Sequence, residues 1–169
     1  MFYELAKRRR SYRKFSNEEI DEDKLKKILA SGLLAPTGAN SKKIEFVVLK
    51  NQRDIEVASE LKPMGSAFLK EAKVAIIVCC DKSAPTYRQD ASIAAAYLQL
   101  AVEDEGLGSC WANVTGAKHN DTMTSEDYLK DKFFIPESFH IECVIGLGGK
   151  IKEADEKAPD FSKIHYNRF

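Results

Sequence analysis

Apolar residues recur along this chain with two different periods, and the alternation of those periods marks out its elements. Residues 2–10 carry an amphipathic helical pattern that ends in three arginines. Residues 11–15 read as extended. Beyond them, Ile20, Leu25, Ile28, Leu29, Leu33 and Leu34 fall near helical spacing. Ser16 followed three positions later by Glu19 has the form of a capping box, which predicts that this helix starts at Ser16. Acidic residues at 18, 19, 21, 22 and 23 precede lysines at 24, 26 and 27, the order a helix dipole favours. Pro36 stops the helix near residue 35.

Residues 44–49 are rich in strand formers, and residues 53–62 place Ile55, Val57, Ala58 and Leu61 on one helical face. The continuous apolar run at 74–80 fits a strand covered on both faces. Residues 81–88, with Pro85, read as a loop. From 90 to 105 a helix is apolar nearly all round, so it must be buried at the centre of the fold or between two copies of it. Gly106 and Gly108 supply its stop, and Ser109, Cys110 and Trp111 lead into a further loop. A short helix near 124–132 and a strand at 141–147 follow. The polar tail, 150–169, ends in Phe161, Tyr166 and Phe169, a composition that predicts docking rather than a free end. The order α, α, β, α, β, α, α, β suggests a sheet with helices on its faces, α/β or α+β. Neither an internal repeat nor a linker divides it, so residues 1–169 read as one domain.

Charge narrows the possibilities. Lys+Arg and Asp+Glu each number 26, and a formally neutral chain argues against nucleic acid as its main partner. No stretch approaches the roughly 20 apolar residues of a membrane span. The N-terminus is charged where a signal peptide would be apolar, so the expected location is the cytoplasm. Cys79, Cys80, Cys110 and Cys143 form no Cys-x-x-Cys pair and have no histidine at zinc spacing, so they read as small buried hydrophobes in a reducing compartment. His119, His140 and His165 suggest neither a metal pair nor a catalytic triad, and His140, beside a strand, reads as structural. An enzyme so poor in acid–base groups would rely on a cofactor.

Three segments are candidates for chemistry. Lys7, Arg8, Arg9, Arg10, Arg13 and Lys14 put six cations within eight residues. They could form a solvated face paired with the acidic run, a nucleic-acid or membrane patch, or a phosphate site, since guanidinium forks match phosphate oxygens and Ser11 can add a bond. The loop at 36–41 is a plain connection or a close approach to a flat ligand, which Gly38 would permit. Gly106-Leu107-Gly108-Ser109-Cys110-Trp111 and Gly146-Leu147-Gly148-Gly149 both lack the strand–turn–helix context of a dinucleotide fingerprint.

Taken in order, these segments resemble the FMN-dependent nitroreductase family. The resemblance is carried by Arg9-Arg10-Ser11-Tyr12-Arg13-Lys14-Phe15, by Ala35-Pro36-Thr37-Gly38-Ala39-Asn40-Ser41 running into Glu45-Phe46-Val47-Val48, and by Asp90-Ala91 through Trp111. Ile145-Gly146-Leu147-Gly148 and the closing Ile164-His165-Tyr166-Asn167-Arg168-Phe169 complete it. It implies an α+β fold with a mostly antiparallel sheet, and an intertwined homodimer with FMN at the subunit interface. The apolar helix would then pack on its symmetry mate, and the tail would reach across. By the same resemblance, Arg9, Arg10, Ser11 and Arg13 hold the phosphate and ribityl chain. Pro36, Thr37, Gly38 and Asn40 reach the flavin from the other subunit. Trp111 and the backbone of Ala112 and Asn113 lie beside its ring. Lys157, with Lys150 as the fallback, pairs with the phosphate. Lys42-Lys43-Ile44 replaces the family's usual Gln-Pro-Trp, so Lys42 would set a cation near the pyrimidine edge and raise the flavin potential. The implied activity is ping-pong hydride transfer from NADH or NADPH to nitroaromatics, quinones or activated alkenes, with no side-chain nucleophile. Two rivals stand beside it: a flavin-binding protein without efficient nicotinamide turnover, and a basic-patch interaction module.

Overall fold

In the computed structural model, which describes residues 1–169, four strands form one antiparallel sheet. They are β1 (Ile44–Leu49), β2 (Val74–Asp81), β3 (Leu107–Asn113) and β4 (Phe139–Gly149), in the spatial order β1-β2-β4-β3. The helices are α1 (Phe2–Arg8), α2 (Glu22–Leu33), α3 (Gln52–Ser59), α4 (Tyr87–Asp104) and α5 (Ser125–Phe133). The architecture is α+β, as the resemblance implied.

β2 and β4 occupy the middle of the sheet, and both faces are covered, which is why they read as near-continuous apolar runs. On one face Ile76, Val78, Ile145 and Leu147 pack against Leu25 and Ile28 of α2 and Ala94 and Leu98 of α4. On the other, Ile77, Ile141 and Val144 meet Ile55 of α3 and Leu129 of α5. Between β2 and β4 the register shifts at Val78/Cys79: Val78 opposes Cys143 and Cys79 opposes Ile141, so Glu142 is the extra residue of a bulge.

α4 satisfies only half of its expected burial within one chain. Ala91, Ala94, Ala95, Leu98 and Val102 face the sheet, whereas Ile93, Ala96 and Tyr97 face outward. With Phe2 and Leu5 of α1 these outward residues line an apolar groove of ≈ 450 Å³.

Three sequence expectations need correction. The second helix starts at Glu22, not at Ser16. Asp21 is its cap, and its carboxylate accepts from the N–H groups of Asp23 (2.9 Å) and Lys24 (3.1 Å). Ser16 does not cap, because its N–H donates to the Gly149 carbonyl (2.9 Å) beside the Phe15–Lys150 bridge, which keeps this segment along the end of β4 instead of in a helix. Secondly, residues 107–113 are a strand rather than a turn and loop. Their glycine and serine give little strand propensity, and pairing with β4 along seven residues overrides it. Thirdly, α4 begins at Tyr87, inside the expected loop. The tail aromatics Phe161, Tyr166 and Phe169, with Ile164, are exposed in the single chain. All four cysteines are free and buried.

Candidate active site

The N-terminal cations divide into two groups. Lys7 pairs with Glu4 (3.0 Å) and Glu156 (2.9 Å), and Arg8 approaches Glu103 at 3.9 Å. Arg9, Arg10, Arg13 and Lys14 have no carboxylate partner; Arg10 donates only to the carbonyl of Asp155. The acidic run lies elsewhere and pairs with Lys26, Lys50 and Lys73, which removes the reading of a self-neutralised basic face.

The tail adds to the second group. The Lys157 N–H donates to the Lys7 carbonyl (3.0 Å), which brings its ammonium among the same cations. Partial burial, then the charges of Arg9 and Arg10, lower the Lys157 pKa below the usual lysine value. Like charges gathered without an anion are what a phosphate site requires. Lys150 belongs to another cluster, because Glu103 (2.7 Å) and Glu153 (3.1 Å) hold its buried ammonium. Burial raises the Cys110 thiol pKa, with Arg13, Ser11 and Arg9 opposing, so this buried cysteine lies within the electrostatic reach of those cations.

Ser11 also starts a strand edge. It bridges Ser109 of β3 in parallel, and the Tyr12 N–H donates to the Ser109 carbonyl (2.9 Å). This approach needs Gly108, since a Cβ there would lie 2.8 Å from Tyr12 Cγ. β3 is an edge strand, so beyond Ser109 its outer side is unpaired. Strand alternation directs the backbone groups of Trp111 and Asn113 outward with those of Ser109, and directs those of Ala112 toward β4. Ala112 also buries its side chain in the core, so it offers no group to a ligand on this edge. Lys62 stands at the far end of the edge, where its ammonium donates to the Asn113 carbonyl (2.9 Å). Burial lowers its pKa, and nearby Cys110 opposes the shift. Lys62 was not legible in the sequence, where 51 positions separate it from Asn113.

The loop that follows α2 is built around one buried carboxylate. Asp90 Oδ1 accepts from the Gly38 N–H (2.9 Å) and the Thr86 hydroxyl (2.9 Å), and Oδ2 accepts from the Ser41 hydroxyl (3.3 Å). The Lys42 N–H donates to Thr37 Oγ1 (3.1 Å). Ala39, Asn40 and Lys42 all have positive φ, near 51–52°. Three such residues within four positions store backbone strain that the surrounding bonds must hold. Pro36, Asn40 and Lys42 are exposed, while Thr37 and Gly38 are half-buried. The fold does not bring this loop to the arginines. Asp90 is near the start of α4 and Glu103 near its end, about 20 Å apart along the helix.

A family model described as the nitroreductase family matches residues 6–76 and 53–149. A protein of Methanothermobacter thermautotrophicus, provisionally named NADH dehydrogenase/NAD(P)H nitroreductase, is 38% identical over 86% of this chain and 75% of its own. An iodotyrosine deiodinase of Thermotoga neapolitana is 30% identical over 100% of this chain and 99% of its own. A structure described as an FMN-dependent nitroreductase from Clostridium difficile R20291 superposes with a TM-score of 0.94. It is 34% identical, with 98% of each chain covered. Matched along most of its length by sequence and by fold, the chain belongs to the nitroreductase family.

Proposed function

We propose that this protein is an FMN-dependent oxidoreductase that uses NADH or NADPH to reduce small acceptors such as nitroaromatics or quinones. The observation that carries this reading is the unneutralised cluster of Arg9, Arg10, Arg13 and Lys157 at one end of an unpaired strand edge. A phosphate monoester matches that charge, and an extended molecule matches that edge. The names of the nitroreductase relatives support the same cofactor and donor.

In this reading Arg9, Arg10, Ser11, Arg13 and Lys157 hold the phosphate and ribityl chain. Trp111 and the outward backbone of Asn113 flank the ring, and Lys62 adds a cation at that end. Bound FMN would supply two-electron transfer between the nicotinamide and the acceptor. Pro36, Thr37, Gly38, Asn40 and Lys42 would come from a second copy. An antiparallel pairing of two α4 helices across a twofold axis sets the loop end of one beside the arginine end of the other. The apolar groove on α4 and the exposed tail aromatics support such a homodimer. Four free thiols suit the cytoplasm.

The test is direct. The purified protein carries flavin absorbance, which anaerobic NADH or NADPH bleaches within seconds. A flavin that neither donor reduces would favour a carrier or sensor role, and protein indifferent to FMN would overturn the reading. The full-length likeness to the Thermotoga enzyme places an iodinated tyrosine in the acceptor panel.

A further inference from the structure

A buried ionic cluster at the start of β4 has no part in the site described above. The His140 side chain is 4% exposed. Its Nδ1 lies 3.3 Å from Glu126 Oε2 on α5, and its Nε2 lies 2.9 Å from Glu142 Oε2 on β4. Lys130 of α5, equally buried, approaches Glu126 at 2.9 Å and Glu137 of the following loop at 3.2 Å. Lys82, after β2, reaches Glu126 at 3.8 Å. Cys80 faces His140 in the β2–β4 register, and the Tyr87 ring of α4 meets the imidazole edge-on at 5.3 Å. Thr115 Oγ1 also lies 3.2 Å from Nε2 but donates over the shorter 2.9 Å to Glu142 Oε2, so a neutral imidazole would turn a lone pair toward a carboxylate, and the geometry favours protons on both nitrogens. Imidazolium and Lys130 then balance Glu126 and Glu142.

The bulge connects this cluster to α4. Glu142 is the extra residue, and its carbonyl accepts from both Val114 N–H (3.1 Å) and Thr115 N–H (3.3 Å). Thr115 Oγ1 donates to Glu142 Oε2 (2.9 Å), and Ser92 Oγ on α4 donates to Glu142 Oε1 (3.0 Å). Ser92 lies two residues beyond Asp90, and Tyr87 lies in the same first turns of the helix. Contacts therefore run from His140 through Glu142 to Ser92, and the helix backbone joins Ser92 to Asp90, whose carboxylate holds the 37–42 loop.

We propose that His140, clamped as an imidazolium between Glu126 and Glu142, is a positioning residue that fixes the first turns of α4 and, through Asp90, the 37–42 loop. Its consequence for the cofactor rests on the reading above, in which that loop meets the flavin of a second copy. Loss of the proton removes the positive charge that both carboxylates share, so Glu142 loses its cationic partner while the central strands stay paired. Burial opposes the imidazolium, but the bonds to Glu126 and Glu142 outweigh it and raise the His140 pKa above the usual histidine value. The loop therefore loosens as pH rises through the raised His140 value.

The test follows three signals in the holoprotein as pH is raised: the imidazole 15N resonances, backbone hydrogen-exchange protection factors, and release of FMN by its fluorescence. The clamp predicts that the His140 ring titrates above an ordinary histidine. At that midpoint, protection falls in residues 37–42 and 86–90 while β2 and β4 keep theirs. Glu142→Gln lowers the midpoint by about one pH unit or more. Ser92→Ala leaves the ring's midpoint in place but uncouples the loop from it. Loop protection indifferent to the midpoint, or lost only together with the central strands, overturns the proposal. FMN release separates it from the reading on which it rests. A loop that loosens at the midpoint while FMN stays bound upholds the clamp and rejects the loop as a flavin contact.

Discussion

Arg9, Arg10 and Lys157 face one another without a counter-ion, and one phosphate would relieve that repulsion. Arg13 lies in the same group, close to Cys110. Arg13→Ala is expected to weaken FMN binding roughly ten- to a hundredfold, the worth of one charge-assisted hydrogen bond of about 1.5–3 kcal/mol. Titrating apoprotein with FMN by fluorescence checks it, and an unchanged affinity contradicts the phosphate assignment. Lys150→Met is the contrast. Glu103 and Glu153 already hold that ammonium, so FMN affinity should stay within about twofold while stability falls with the stranding of Glu103. Lys62 tests the other end. A cation beside the ring favours the anionic reduced flavin, so Lys62→Gln should lower the two-electron potential, read by equilibration with a reference dye. A potential that stays put removes Lys62 from the ring's neighbourhood.

The elements show what patterning can and cannot reveal. β1, β2 and β4 were legible because their strand-forming runs pair in one sheet, and α4 because its apolar positions mark a helix, although one chain buries only its sheet-facing side. β3 was not, because Gly-Leu-Gly-Ser has no strand signature and becomes a strand only against β4. The start of α2 was misplaced because Ser16 and Asp21 can both cap, and the choice depends on Gly149, more than a hundred positions away. The cation run was visible in the sequence. Its completion by Lys157 and the diversion of Lys150 to Glu103 required the fold. Ala112 came from the resemblance and falls away once strand alternation points its groups inward. Gly108→Ala tests the join between Ser11 and β3. Tyr12 has little freedom to yield, since its N–H is bound to Ser109 and its hydroxyl accepts from the Ala154 N–H (3.2 Å). The variant should lose about 1–3 kcal/mol of stability and bind FMN more weakly. A melting temperature equal to the parent's would show that the contact is slack.

For the whole molecule, pH dependence follows from the buried cluster. The His140 contribution is complete below the ordinary histidine pKa and is lost as pH rises through its raised folded value. Burial would raise the Glu126 pKa, but bonds from His140 and Lys130 carry it down to about 2. Burial likewise opposes the lowered Glu142 pKa, which the His140, Thr115 and Ser92 bonds produce. Both carboxylates contribute fully above the ordinary glutamate value and lose that contribution as pH falls through their depressed values. Stability should be flat between the ordinary glutamate and histidine values and decline on either side, as denaturant melts would record; a maximum in strong alkali contradicts this. The groove on α4 makes a further demand on assembly: Tyr97→Glu should shift the sedimenting species toward monomer and release FMN with it. The most direct measurement is the visible spectrum of the purified protein during anaerobic addition of NADH and then NADPH. Oxidised-flavin absorbance at about one FMN per chain, bleached within seconds by at least one donor and restored by an acceptor, is the predicted result. A colourless protein that takes up no added FMN would contradict it.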